Sequence, residues 1–393
     1  MSLLGVVLAA SVLASCGGST TAPVDRVRVA ALLSLTGAAA PIGREQARAM
    51  RLAVSRINAD GGIKGTQLDL VIADSRSDPE HSASAMRSLI TGRGAAAVMG
   101  PTLSFDAVRA DPVANALKTP VLAVSNTVPG IVGRCAYACE WIWRNSLGAS
   151  RTVTSNVAYL VNQRNPRTAA LLHAASDLLA TSESRIAGAA FRARGVRIVA
   201  DVPLPAPADG TDGVAADVAR ALRAEPGALF LTASDGAAVA AAVRAARAQG
   251  FTGPILGGDV LNETSVVDEA GKDGAGARSG AAWFAGNDFP ANTAFVRAYR
   301  GAYHETPDQF AAQAYSGVMI LAQAIERGDA LGGDLSLPQR RAAIQKGLAK
   351  VALTTPLGPF RFTRDHDVDQ IVWLLESNGE DAHDLVQFCD PTC

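Results

Sequence analysis

The stretch "PVLAVSNTVPG" (residues 120–130) decides how this chain is read. Val121, Leu122 and Val124 form the short apolar run of a strand buried on both faces. The run gives way to Ser125, Asn126 and Thr127, and then to a Pro-Gly stop. In open α/β sheets, ligands sit beyond the carboxyl ends of the strands. Three small polar side chains at such an end therefore raise the question of what they face.

Working outward, the same rhythm repeats. "VRVAALLSL", "QLDLVIAD" and "AAAVMG" read as strands. Between them, Ala47, Met50, Ala53 and Ile57 recur at helical spacing, and Asp78-Pro79 has the chemistry of an N-cap followed by a first helical residue. "SFDAVRADPVANALK" supplies the helix before residue 120. A second βα set begins near Leu147 and runs to "PILGG", followed by the long helices "ANTAFVRAYRGAYH" and "DQFAAQAYSGVMILAQAIERG". "LGPFRFTRDHDVDQIVWLLESNG" reads as a closing hairpin. Alternating βα units imply parallel sheets covered by helices on both faces, and two such sets imply two lobes about a cleft.

Composition agrees. The chain has 393 residues, enough for two α/β domains; 48% are hydrophobic and 19% charged, which argues for packed cores rather than disorder. A formal net charge of −1 leaves no electrostatic footprint for nucleic acid. The apolar run from Leu3 to Leu13, ending in Leu-Ala-Ser-Cys16, is too short for a spanning helix and reads as a signal segment over residues 1–15. Its ending resembles the bacterial lipobox, in which the cysteine (here Cys16) is lipidated; residues 16–25 then form a tether. No Lys or Arg precedes the run, a departure from the usual pattern. The other cysteines, "CAYAC" (Cys135, Cys139) and "CDPTC" (Cys389, Cys393), suit disulfides in an oxidising compartment. The two local pairs are the favoured connectivity, and a shared zinc site is the alternative.

Enzyme signatures are missing from the sequence: there is no GxSxG, HExxH, P-loop or strand-flanked GxGxxG. "DHDVDQIVWLLE" places Asp365, Asp367, Asp369 and Glu376 at EF-hand-like spacing. Gln370 stands where that loop needs glycine, so an acidic hairpin turn accounts for it better.

Several stretches together resemble the substrate-binding lipoproteins of branched-chain amino-acid ABC transporters, the leucine/isoleucine/valine-binding type of class I periplasmic binding proteins. They are "LLSLTGAAAPIG", "AVSRINADGGIKG", "LVIADSRSDP", "AAVMGPTLS", "PVLAVSNT", "AYSGVMILAQAI" and "TPLGPFRFTRDHDVD". The resemblance implies two doubly wound α/β lobes joined by three crossovers, with residues 26–146 and 283–357 in lobe 1 and 147–282 and 358–393 in lobe 2. It implies a monomeric, lipid-anchored receptor outside the cytoplasmic membrane that delivers solute to an ABC permease and ATPase, with no cofactor, no metal and no catalysis. By resemblance, Ser104, Ser125, Asn126 and Thr127 receive a carboxylate and Asp259 an ammonium, with Asp235 a further cleft candidate that also reads as a helix cap. The family often carries an aromatic where this chain has Ile42, and Tyr-Gly where it has Leu178-Leu179. Aliphatic walls at these positions suit a branched or otherwise apolar amino acid. Amides, urea-like molecules and carboxylates stay open as ligands, as does a role in sensing for a membrane signalling partner. A hydrolase acting on an amino-acid derivative is the third class.

Overall fold

A computed structural model describes residues 25–133, 135, 139–204, 213–380 and 383–389. The signal segment, Cys16 and Cys393 lie outside them. Lobe 1 opens with β1 (Arg26–Leu33), α1 (Ala40–Ala59), β2 (Gln67–Asp74), α2 (Pro79–Arg87), β3 (Val98–Met99), α3 (Ser104–Ala116), β4 (Val121–Ala123) and β5 (Ile142–Arg144). These strands form a parallel sheet in the order β2-β1-β3-β4-β5. The chain then crosses to α4 (Ala149–Arg164), β6 (Thr168–Ala174), α5 (Leu178–Arg192), β7 (Arg197–Leu204), α6 (Val214–Leu222), β8 (Leu229–Thr232), α7 (Gly236–Ala248), β9 (Ile255–Gly257), α8 (Thr264–Ala270) and β10 (Arg278–Ala281). It returns to lobe 1 for α9 (Pro290–Tyr303), α10 (Gln309–Arg327) and α11 (Leu337–Leu348). It ends with β11 (Ala352–Thr355), β12 (Gly358–Phe362), β13 (Val368–Asp369), β14 (Val372–Ser377) and β15 (His383–Cys389).

Period and burial explain the layers. β3 and β4 are buried at every position, as expected of central parallel strands. Helices α1 and α10 pack on one face of the first sheet, where Met50, Ala53, Ile320 and Ala324 join Leu33 and Leu122 in one core. Helices α2 and α3 cover the other face through Met86, Ala107 and Ala110. Gly43 lets α1 approach the end of β1: a Cβ there would stand 2.1 Å from the Ser34 carbonyl oxygen.

The second sheet runs β15-β14-β10-β9-β8-β6-β7, and its last two strands are antiparallel additions. The closing segment therefore departs from the sequence expectation in two ways. Residues 358–369 join a separate three-stranded sheet, β11-β12-β13, and the chain re-enters the second sheet at Val372 rather than at 358. "IVWLL" accordingly pairs with β10 and β15, not back onto "GPFRF". Charge and stacking explain the arrangement. His366 stacks on Trp143 at 3.7 Å, and Asp367 engages the buried Arg144 guanidinium, with Nε at 2.9 Å. Asp369 pairs with Arg361 and faces Arg151 of α4 at 3.6 Å, so the acidic turn is held by arginines. Cys135 and Cys139 are disulfide-bonded. Among the described residues no helix is long and apolar enough to cross a membrane.

Candidate functional site

Strand ends from both lobes converge on a cavity of about 180 Å³. Ser104, Ser125, Thr127 and Ile42 line it from lobe 1, and Leu178, Leu179, Asp259 and Val260 from lobe 2. Phe310, at the start of α10, completes the wall.

The lobe 1 face is a helix start. Leu103 occupies the N-cap of α3 in extended conformation, and no side chain caps the helix. Its first amides therefore meet the cavity with the positive end of the helix dipole behind them. Ser104 adds a hydroxyl, and the Thr127 side chain engages the Asp259 carboxyl from the opposite lobe. Ser125 behaves differently from expectation. Its Oγ donates to the Thr102 carbonyl at 2.7 Å and accepts from Gln46 Nε2 at 2.7 Å. It offers the cavity a lone pair rather than a proton. Thr102 Oγ1 closes this network by donating to Gln46 Oε1 at 2.7 Å and accepting from Ser34 N at 3.0 Å.

Asn126 does not reach the cavity. Fully buried, it donates from Nδ2 to the carbonyls of Pro101 and Thr102 at 3.0 and 3.3 Å, tying the ends of β3 and β4 together. Its own carbonyl accepts from Ser146 Oγ at 2.9 Å. Asn126 is a positioning residue for the loop that carries Ser104. Asp235 is likewise outside the cavity wall: it caps α7, accepting from Ala237 N at 3.0 Å.

The lobe 2 face is acidic. Asp259 is 5% exposed and follows Gly258 at the end of β9. Its Oδ1 accepts from Thr152 Oγ1 at 3.2 Å, while Oδ2 has no hydrogen-bond partner. Burial pushes this carboxyl up to about 6; Thr127, Thr152 and the Arg144 charge pull the other way. Behind it, Glu183 accepts from Asp259 N at 3.1 Å and from the Thr232 hydroxyl. Burial first, and the Asp259 charge second, raise the Glu183 carboxyl well above the usual carboxylate range. Gly258 is obligatory here, since a Cβ would stand 1.8 Å from Glu183 Oε2.

Sequence reasoning missed Thr102, Phe105, Asp177 and Phe310. Phe105, 53% exposed at the cavity rim, carries the one available signal: a large apolar residue in the first turn of a helix that starts at a strand end. Phe310 reaches the cavity from a distant helix, and nothing local marks it. Asp177 caps α5 through Leu179 N at 2.9 Å and also accepts from Ser234 N at 2.5 Å. The cavity thus offers uncapped amides and the Ser104 hydroxyl on one side, a buried carboxylate engaged by Thr127 on the other, and apolar walls between.

The known proteins it resembles carry the same architecture. The model of the family described as periplasmic binding protein matches residues 26–382. A branched-chain amino acid transporter substrate-binding protein from Streptococcus pneumoniae, solved with isoleucine, superposes with a TM-score of 0.80 at 25% identity over 92% of this chain and 99% of that one. A Rhodopseudomonas palustris solute-binding protein in complex with benzoate gives a TM-score of 0.82 at 21% identity, covering 94% of this chain and 97% of that one. A Leu/Ile/Val-binding protein homolog of Brucella abortus is 28% identical over 158 residues, 40% of this chain and 36% of the relative. That alignment spans about a third of the Brucella protein's length. Two doubly wound lobes, a cavity between their strand ends and a family match over nearly the whole chain lead to one conclusion: the chain belongs to the periplasmic binding protein family.

Proposed function

We propose that this protein is the extracytoplasmic receptor of an ABC importer and captures a small zwitterionic amino acid between its lobes. It binds and delivers; it does not catalyse. The carrying observation is the split polarity of the cavity. A carboxylate suits the uncapped start of α3 with the Ser104 hydroxyl beside it. An ammonium suits Asp259, whose Oδ2 is buried without a partner. A buried carboxylate without a counter-charge is costly, so a cation arriving there favours the closed state that buries it. Ile42, Leu178, Leu179 and Val260 suit an aliphatic side chain.

A second reading, an aromatic carboxylate, is favoured by Phe105 and Phe310 in the same wall. The benzoate complex of the R. palustris neighbour supports it. A thermal melt against amino acids, their amides, urea and aromatic carboxylates separates the two. Ligand at a hundredfold over its Kd adds about 2.7 kcal/mol of stability, a shift of several degrees. Amino acids are expected to give that shift in the native protein and none in Asp259→Asn. A shift with benzoates alone, unchanged in Asp259→Asn, overturns the zwitterion reading. Cys16 is proposed as the lipid anchor; Cys16→Ser is expected to release the protein from membranes and remove incorporation of a labelled fatty acid. The permease partner is tested by ATPase stimulation in proteoliposomes bearing the transporter encoded beside it. Stimulation of a neighbouring sensor kinase instead would assign the protein to signalling.

A further inference from the structure

Ile42 has a second side. Beyond it lies a separate chamber of about 490 Å³ lined by five carboxylates, Glu45, Glu263, Asp268, Glu305 and Asp308. Three of the five have work within the chain. Glu45 accepts from the Tyr299 hydroxyl and from Arg48 Nη1 at 2.9 Å. Glu305 takes the same Arg48 nitrogen at 2.7 Å. Asp308 caps α10 through Ala311 N at 2.8 Å.

Glu263 differs. It is 6% exposed, yet its Oε1 has no hydrogen-bond partner, and Oε2 accepts only a long contact from Ser265 Oγ at 3.4 Å. It occupies the N-cap position of α8 without capping it. Burial, and then the Asp308 charge, push its carboxyl up to about 8, so at neutral pH it keeps its proton until a cation arrives. A metal ion does not fit: it needs several oxygens converging at about 2.0–2.6 Å. Among the described residues no three Asp, Glu, His or Cys side chains come together in that way. The chamber is also wide, and Pro41 and Ile42 give it an apolar side.

We propose that this chamber is a subsite for an organic cation, a primary ammonium or guanidinium on a short alkyl chain, with Glu263 as counter-charge and Pro41 and Ile42 against its methylenes. The cation has two possible sources, the far end of a basic amino acid seated in the main cavity or a free amine. Only the first source rests on the zwitterion reading above.

The test is calorimetric titration of the exported protein with lysine, norleucine and butylamine at pH 7.5, in two buffers of different ionisation enthalpy. Norleucine has the lysine skeleton without the terminal ammonium. If the cation belongs to the amino acid, lysine binds at least tenfold more tightly than norleucine, and binding releases a proton. Glu263→Gln then abolishes that preference and that release, leaving norleucine affinity unchanged. If the cation is a free amine, butylamine binds both the native protein and Asp259→Asn, and fails in Glu263→Gln. Butylamine binding with neither amino acid bound upholds the subsite and overturns the main-cavity reading. The subsite is overturned if lysine shows no advantage over norleucine and butylamine does not bind the native protein, a comparison that needs no variant. It is also overturned if Glu263→Gln, shown folded by its melt, keeps the preference.

Discussion

The two lips of the cleft are built from the same unit, a parallel strand turning into a helix, yet they end differently. In lobe 1, α3 starts uncapped at Leu103. In lobe 2, α5 and α7 start under the carboxylates of Asp177 and Asp235. A side-chain cap satisfies the first amides and cancels part of the helix dipole; its absence leaves donors for a ligand. Lobe 2 adds Asp259, a carboxylate beyond what its helices use. On the proposed reading one lip receives an anion and the other a cation, and a zwitterion is the small molecule that rewards closing both.

The largest expected effect comes from removing the odd carboxylate. Asp259→Asn is expected to weaken amino-acid binding by about a hundredfold or more, since leaving one member of a buried ion pair alone costs about 3–5 kcal/mol. Titration calorimetry reads this, and the ligand-free protein should melt no lower than native above pH 6, where the native chain carries the buried charge.

Converting the lobe 1 lip into a lobe 2 lip is the sharper experiment. Leu103 already has the extended backbone of a capping residue, with φ −94° and ψ 139°. Leu103→Asp is expected to cap α3 and stabilise the free protein by about 1 kcal/mol. The same change should weaken ligand binding at least tenfold, because the cap occupies the ligand's amides. Stability and affinity moving in opposite directions distinguishes this from simple damage.

Acidity tests the same asymmetry. Below the Asp259 value of about 6, ammonium binding must displace a proton, so affinity should fall by up to tenfold per pH unit on acidification and level off above pH 7. Stability of the free protein runs the other way. The folded value lies above the ordinary 3.8, so this group's contribution is fully present below that value and is lost as pH rises toward 6. Melts from pH 4 to 8, with and without ligand, read both. The smallest effect is expected from Asp177→Ala. It uncaps α5 and frees Ser234 N, costing about 1–2 kcal/mol of stability with little change in affinity, measured by denaturant titration.

The comparison also shows what a sequence can carry. Strand patterning together with the family resemblance pointed to the cleft, because Ser104, Thr127 and Asp259 each lie a few residues beyond the ends of β3, β4 and β9. The same pattern could not sort neighbours by role. Ser125, Asn126 and Thr127 are alike as letters, yet one is engaged by Gln46, one braces two strands, and one lines the cavity and reaches Asp259 across it. Asp235 and Asp259 both follow strands in lobe 2, and what separates them is one position: Asp235 stands at the N-cap of α7 and caps it, whereas Asp259 is already the first residue of a short helical turn, Asp259–Asn262, with Gly258 at its N-cap. Phe310 and Glu263 were illegible because their positions depend on how distant segments meet. Residues 358–369 left their expected sheet for the same reason: Arg144 and Trp143, far away in sequence, decide where they settle.

The most direct test of the account takes the tightest-binding amino acid from the melt panel and compares it by calorimetry with its two halves. One half is the desamino carboxylic acid; the other is the decarboxylated amine. The account predicts that each half binds at least a hundredfold more weakly than the whole, and that Asp259→Asn narrows the gap between the amino acid and the desamino acid. A desamino acid that binds the native protein as tightly as the amino acid would contradict it.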